Sequence, residues 1–356
     1  NNCFQLLNNL FTLEINPVFM RYKINNFVIM EQRVINFWEI ESNADFELCA
    51  RQTFHHQYEH NSVYRSYCDL IHFNPADLKS IKDIPFLPIR FFKSHDVKSF
   101  SEPEAIIFTS SGTTGTETSK HYLKELDGYE KSFTKAFNYF YGDPKEMAIL
   151  ALLPSYLERQ GSSLIYMADR LIQDSCHPKS GFYLDNLEEL KTVIEALEAA
   201  QQPTLLLGVS FALLDLIEHY RFNLKHTLVM ETGGMKGRRK ELIREDLHEQ
   251  LATGFGVEHI HSEYGMTELL SQAYSKGAGL FSCPPWMQVF TRDTTDPFTS
   301  LTEGMMGSLN IMDLANRESC SFIATQDLGR LHPKNQFEVL GRVDQSDIRG
   351  CNLLVY

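Results

Sequence analysis

No uninterrupted apolar run in this chain reaches the about 18 residues that a membrane-spanning helix needs, which argues against a helical span. Cysteine is scarce, 7 in 356 residues, and no two form a C-x-x-C pair, so neither a disulfide frame nor a zinc site is readable. Reduced thiols of a cytoplasmic protein are the expectation. Basic residues are the minority: 33 Lys+Arg stand against 46 Asp+Glu, a net charge of −13 that repels polyanions and disfavours nucleic acid as a partner. A small nucleotide is not excluded, because a local loop and a bound cation neutralise it at short range. Internal repeats, low-complexity tracts and long linkers are also absent.

The stretch from Asn1 to Ile29 has no basic segment followed by an apolar core and a small-residue cleavage site, so it does not read as a signal peptide. Met30, before Glu31-Gln32-Arg33, reads as a natural start, which makes residues 1–30 an atypical extension. The whole chain has 43% hydrophobic and 22% charged residues, the composition of a folded enzyme.

Residues 31–100 read as a helical segment packing on the core, with Trp38, Phe46, Phe54, Tyr58, Tyr64, Tyr67 and Leu70 near helical spacing over Val34–Phe73. Two prolines in Ile84-Pro85-Phe86-Leu87-Pro88-Ile89 make an extended connector. Over residues 101–306 short apolar runs alternate with amphipathic ones. Ala105–Phe108, Met147–Leu153, Thr204–Val209, Thr227–Glu231 and His259–Tyr264 read as strands. Ser162–Gln173, Asn186–Gln201, Phe211–Tyr220 and Gly237–Thr253 read as helices. This alternation predicts an α/β core whose ligands bind at the carboxyl ends of strands. From Gly307 to Tyr356, short strands with turns predict a small β-rich lobe.

The strongest local signal is Phe108-Thr109-Ser110-Ser111-Gly112-Thr113-Thr114-Gly115-Thr116, directly after a strand. Glycines let backbone N–H groups converge on an anion, and hydroxyls add donors, so this loop is suited to phosphate. A plain surface turn seldom strings six hydroxyls around two glycines. No G-x-x-x-x-G-K-[ST] occurs, so it is not a Walker loop. The second signal is Glu263-Tyr264-Gly265-Met266-Thr267-Glu268: an aromatic that can stack on a purine, a hydroxyl that can reach a phosphate and a carboxylate that can hold Mg²⁺.

In this order, with α/β alternation between them, the two motifs resemble the adenylate-forming superfamily of acyl-CoA synthetases, nonribosomal-peptide adenylation domains and luciferases. Three further matches follow in sequence: Gly233-Gly234 looks like its adenine-lining turn, Asp327 stands where its ribose-binding aspartate does, and Gly341-Arg342-Val343-Asp344 resembles its hinge. The resemblance implies a large N-terminal domain of mixed and parallel sheets flanked by helices, plus the small lobe. It also assigns roles. Ser110, Ser111, Gly112, Thr113, Thr114 and Gly115 would close over the β- and γ-phosphates of ATP. Gly233 and Gly234 would border the adenine, with Tyr264 and Gly265 beside it and the Tyr264 ring stacked upon it. Thr267 would touch the α-phosphate, Glu268 would bind Mg²⁺, Asp327 would hold the ribose, and Arg342 would help hold the nucleotide.

Two departures are visible. The family's loop usually runs through Pro-Lys-Gly, whereas Thr116-Glu117-Thr118-Ser119 precede Lys120 here, leaving open whether Lys120 is its lysine. Typical members also continue past the hinge into a mobile domain carrying a catalytic lysine, whereas this sequence ends at Tyr356, as though that domain were truncated. That feature and the ending Asp347-Ile348-Arg349-Gly350-Cys351-Asn352 resemble one branch, the LuxE-like acyl-protein synthetases of the fatty acid reductase complex, over roughly residues 35–356. The branch implies that a fatty acid is activated with ATP, transferred to a cysteine near the C-terminus, here Cys351, and passed to a reductase-like protein partner. A thiolate suits that attack, although a cysteine before Leu353-Leu354-Val355 can equally be a small buried hydrophobe. Cys283, beside Pro284-Pro285, is the rival thiol. Transfer to coenzyme A or an acyl carrier protein is the alternative of the same chemistry, and a nucleotide-binding scaffold without catalysis is the alternative of another class. His259 and His261 could share one strand face as metal ligands, yet no third ligand accompanies them. His177-Pro178 is a loose candidate for an acyl tunnel, and Arg238-Arg239-Lys240-Glu241 reads as a solvated helix face.

Overall fold

The computed structural model describes residues 36–110, 118–153, 161–184, 186–233 and 242–343. In chain order its strands are β1 (Leu87–Pro88), β2 (Ile106–Thr109), β3 (Lys120–Leu123), β4 (Ala148–Leu152), β5 (Gly181–Phe182), β6 (Thr204–Gly208) and β7 (Thr227–Thr232). They continue as β8 (His261–Tyr264), β9 (Ala273–Ser275), β10 (Leu280–Ser282), β11 (Met287–Arg292), β12 (Met306–Asp313), β13 (Phe322–His332) and β14 (Gln336–Arg342). Twelve of them form one sheet in the order β11-β12-β13-β14-β10-β9-β8-β7-β6-β4-β5, with β1 beside β13.

The sheet has two characters. From β5 through β8 the pairs are parallel. Both β4 and β6 are buried at every position, as strands covered by helices on both faces must be. From β8 onward the pairs are antiparallel. The residues after 306, expected as a small β-rich lobe, supply β12, β13 and β14, which join the sheet through the β14–β10 pair. β8 therefore stands at the switch, and its carboxyl end opens beside that of β7.

Local chemistry explains the helices. The expected helical stretch Val34–Phe73 is two helices, Asn43–His60 and Ser62–Leu70, broken at Asn61, whose side chain accepts from the Tyr64 N–H and caps the second. Ser163–Ser175, Leu187–Ala199 and Ser210–His219 fall where periodicity put them. The last helix, Arg244–Phe255, is shorter than expected, and residues 234–241 lie outside the described residues. It ends at Gly256 with φ +66, where a Cβ would stand 2.7 Å from the Phe222 carbonyl oxygen, so only glycine fits.

Two features differ from expectation. The segment read as the first strand of the sheet, Ala105–Phe108, is β2 of a separate antiparallel ribbon with β3. A short connection can close an antiparallel pair, whereas a parallel one needs a long crossover, and β3 follows too closely for that. The helix Asp127–Tyr141 was not anticipated. Its aromatic-rich sequence carries weak helix propensity, but Tyr129, Phe133, Ala136 and Phe137 recur at helical spacing and are all buried. Among the described residues no helix is long and apolar enough to cross a membrane.

Candidate active site

β8 carries Ser262, Glu263 and Tyr264, all buried, and its side chains alternate between the two sheet faces. Tyr264 packs edge-on against Phe281 and Phe337, with centroids 5.8 and 5.5 Å away, and its hydroxyl donates to Asp327 Oδ2 at 2.8 Å. Asp327 of β13 lies in register with Arg342 of β14, whose Nε donates to Asp327 Oδ1 at 3.2 Å. Tyr264, Asp327 and Arg342, far apart in sequence, are thus one cluster. The aspartate is buried, whereas the Arg342 side chain is 82% exposed and free to turn toward a ligand.

Gly265 follows, in close contact with the Glu263 carboxyl. A Cβ there would lie 2.4 Å from Glu263 Oε1 and 3.3 Å from Gln272 Cγ. Thr267 and Glu268 come next, and the β2–β3 ribbon reaches them. His121 of β3 places Nδ1 2.7 Å from the Thr267 carbonyl oxygen, and its Nε2 lies 2.9 Å from Asn316 Oδ1. The Asn316 amide donates in turn to the Glu268 carbonyl at 2.7 Å. Burial pushes the His121 ring down to about 4, against the pull of these two acceptors. Burial raises the Glu268 carboxyl above the usual range, while the side chain of Ser119, the residue before β3, and the charges of Arg342 and Lys93 act in the other direction.

The glycine-hydroxyl loop is closed at its base by Ser110 and Ser119. The Ser110 N–H donates to the Ser119 carbonyl at 3.1 Å, and the Ser119 N–H donates to Ser110 Oγ at 3.0 Å. Ser111, Gly112, Thr113, Thr114 and Gly115 lie outside the described residues. The strand that follows the loop's base nevertheless reaches the strand-end motif, through His121 and the Thr267 carbonyl. Lys120 is exposed opposite Thr109 in the ribbon. Gly233 follows β7, and among the described residues no atom lies within 4 Å of where a Cβ would stand; Gly234 is outside the described residues. Cys351 is outside them too.

Several residues of this region carried no signal in the sequence. Glu231 of β7 is buried. It accepts from Ser210 Oγ at 3.1 Å, with His248 Nε2 and Arg244 each 3.6 Å away. Burial opposes its charge, but His248, the Arg244 charge and Ser262 hold its carboxyl below the usual range. On the next strand Glu263 accepts from Thr232 Oγ1 at 2.6 Å. Burial, helped by the Glu231 charge and opposed by that bond, pushes it up to about 7. One of these neighbouring acids is therefore held ionised and the other near neutrality. Asp313, fully buried, accepts from the N–H groups of Leu270 and Ser271 at 2.9 Å each, from Ser271 Oγ at 2.6 Å and from the Ala315 N–H at 3.2 Å, tying the segment after Glu268 to β12.

The remaining candidates are dispersed. His261 bonds Tyr141 Oη at 3.2 Å and is pushed down to about 4 by burial and then by the Lys276 charge; His259 sits beside Glu258 instead. Among the described residues no group of three or more His, Cys, Asp or Glu is arranged for a metal. His177 accepts the Lys179 N–H in a turn and lines neither of two clefts, of about 560 and 330 Å³. Burial pushes the Cys283 thiol far up, which leaves little thiolate there. Cys49, Cys68 and Cys320 are buried, and Cys176 is exposed.

Comparison with known proteins agrees with this geometry. Residues 19–131, which include the glycine-hydroxyl loop, match the family model described as acyl-protein synthetase, LuxE. No curated protein matches the sequence. The fold is shared with ATP-bound MatB from Rhodopseudomonas palustris, 17% identical with a TM-score of 0.50, over 70% of this chain and 49% of that one. This chain thus spans about half the length of the MatB structure it matches. It is also shared with 2-hydroxyisobutyryl-CoA ligase solved with 2-HIB-AMP and CoA, 13% identical with a TM-score of 0.63, over 88% of this chain and 73% of that one. An open conformation of the same ligase gives 12% identity and a TM-score of 0.62, over 86% and 72%. The resemblance read from the motifs is borne out to this extent: residues 19–131 match the model described as acyl-protein synthetase, LuxE, and the fold is shared with these ligase structures.

Proposed function

We propose that this protein activates a carboxylic acid with ATP, forming an acyl adenylate, and then transfers the acyl group to a thiol, as an acyl-protein synthetase would. The observation that supports this reading is that β3, which follows the glycine-hydroxyl loop, meets the acidic strand-end motif, His121 Nδ1 lying 2.7 Å from the Thr267 carbonyl oxygen. Around it Tyr264, Asp327 and Arg342 form a polar cluster suited to a nucleoside.

In the first step a carboxylate oxygen attacks the α-phosphorus, the bond from that phosphorus to the bridging oxygen breaks, and pyrophosphate leaves. The protein's task is to position two anions and offset the charge that accumulates on the phosphoryl oxygens. Loop N–H groups and hydroxyls would hold the β- and γ-phosphates, Thr267 the α-phosphate, and Asp327 the ribose. Arg342, exposed beside that aspartate, would turn onto the nucleotide. Lys120 is proposed as a further cation near the loop. Mg²⁺ fits the donor set: Glu268 is a buried carboxylate whose charge burial disfavours, and the Ser119 hydroxyl beside it is a second hard oxygen. When bound, the ion supplies charge neutralisation at the phosphates.

In the second step the Cys351 thiolate attacks the acyl carbon, the bond from that carbon to the adenylate oxygen breaks, and AMP leaves; the thiol proton passes to solvent. A fatty or other hydrophobic acid is the proposed substrate, and a reductase-like protein or an acyl carrier is the proposed recipient. The likeness to a ligase solved with CoA favours a second reading, in which CoA itself is the acceptor.

Acid-dependent exchange of labelled pyrophosphate into ATP tests the first step, scanned over fatty and aryl acids. Its absence across the panel leaves a nucleotide-binding scaffold. Hydroxylamine-labile acyl label on the purified chain, lost in Cys351→Ser and kept in Cys283→Ser and Cys176→Ser, is the expected result for the second step. Label appearing only on added CoA would sink the protein-thiol reading.

A further inference from the structure

His121 is a fully buried residue of β3, and both of its ring nitrogens face oxygen atoms that only accept hydrogen bonds. Nδ1 lies 2.7 Å from the Thr267 carbonyl, and Nε2 lies 2.9 Å from Asn316 Oδ1. The orientation of Asn316 is fixed independently, because its Nδ2 donates to the carbonyls of Glu268 and Cys320 at 2.7 and 2.9 Å. Asn316 is itself pinned, its backbone carbonyl accepting from Gln57 Nε2 at 3.2 Å. With its single N–H on Nδ1 the neutral ring donates to the Thr267 carbonyl, Nε2 then facing Asn316 Oδ1 without a hydrogen bond. The Asn316 amide holds the Glu268 carbonyl, so two consecutive carbonyls of the strand-end motif are held from outside that segment. An apolar side chain would fill the same space beside Phe92, whose ring stands edge-on 6.0 Å away, but would leave the Thr267 carbonyl without this partner.

We propose that His121 and Asn316 are a positioning pair, which fixes the phosphate-facing side chains of Thr267 and Glu268 by holding their backbone carbonyls from behind. The inference rests on the proposed adenylation reaction and adds to it residues that no motif contains. Misplacing reacting groups by about 1 Å costs on the order of 100-fold in rate, so the pair acts on turnover more than on acid binding.

The test is pyrophosphate exchange in His121→Ala with and without added azoles. A cleft of about 330 Å³ lined by His121, Asn316 and Leu270 gives small molecules a way in. The expected result is a fall in kcat of about 10- to 100-fold with the KM for the acid unchanged, reversed by imidazole and not by 1-methylimidazole, which has the same ring but no N–H. Equal rescue by both azoles, or wild-type kcat in the variant, overturns the proposal, since filling space would then suffice. If His121→Ala does not fold, His121→Phe serves: reduced kcat per titrated active site supports the pair, and unchanged kcat overturns it. Should wild-type protein show no exchange at all, the proposed reaction fails, and calorimetry of Mg²⁺-ATP binding judges the pair instead. Weaker binding by His121→Phe supports it and equal binding overturns it.

Discussion

Gly265→Ala is the perturbation for which the structure gives the most definite cost. The new Cβ would lie 2.4 Å from Glu263 Oε1. Non-bonded heavy atoms settle at about 3.5 Å or more, so the carboxyl must retreat by about 1 Å. That retreat strains the 2.6 Å bond that the other carboxyl oxygen, Oε2, accepts from Thr232 Oγ1. Overpacking of this kind costs about 1–3 kcal/mol. Urea unfolding followed by the fluorescence of Trp38 and Trp286, which pack against each other at 5.0 Å, reads this as a lower midpoint at unchanged slope. The cause is isolated by repeating the substitution in a Glu263→Ala background. With the obstructing oxygen gone, Gly265→Ala should cost only about 0.5 kcal/mol, the level at which independent sites add. Equal cost in both backgrounds would refute the reasoning, because the clash would then not be what makes glycine necessary.

Glu263 also gives a pH signature. Its folded carboxyl, at about 7, binds a proton more readily than the ordinary one at 4.5, so the folded state holds more protons between those values and stability falls as pH rises through that window. Glu263→Gln should flatten that decline in urea titrations from pH 4.5 to 7; a slope identical to wild type counts against it. Asp327→Asn leaves Tyr264 a neutral acceptor and removes only the charge partner of an exposed arginine. Stability should therefore change by less than about 1 kcal/mol, while ATP affinity by calorimetry drops severalfold if the aspartate holds the ribose. Asp313→Ala strands the donors of Leu270, Ser271 and Ala315 at about 1–3 kcal/mol each before relaxation. A loss on the order of 3–5 kcal/mol in chemical unfolding is expected, and a loss under about 1 kcal/mol would show that the carboxylate is not the hub it looks like.

The sequence was legible where chemistry is local. The parallel strands β4, β6 and β7 are apolar runs, and runs of that kind have few other uses. The glycine-hydroxyl loop and the strand-end motif are contiguous, so both could be read directly. The helix Asp127–Tyr141 was missed because its aromatic residues favour no single period until tertiary burial selects one. What supports the site was unreadable for a different reason: His121 meets Thr267 across 146 residues of chain and Asn316 across 195, and neither partner sits in a pattern that announces it. Ser119 shows the boundary well. It lies at the edge of the glycine-hydroxyl motif, yet its bonds to Ser110 depend on β2 and β3 forming a separate ribbon, when β2 was expected in the main sheet.

The charge balance of the site then resolves an apparent conflict. A chain of net charge −13 whose candidate site gathers Glu231, Glu263, Glu268 and Asp327 looks hostile to a triphosphate. The surface charges are screened beyond about 8 Å at physiological ionic strength, so the total matters for steering long polyanions and little for a ligand already in contact. Within the site the acids are not equivalent. Glu231 is held ionised by its own partners and Glu263 is pushed toward the neutral form, so neither presents an uncompensated charge to an incoming phosphate. Asp327 is engaged by Tyr264 and Arg342. Glu268 remains, buried and with its charge disfavoured, and a carboxylate in that state gains most from a cation. The acidity of the site is thus no obstacle to the proposed reaction, in which Glu268 is the carboxylate that would hold Mg²⁺.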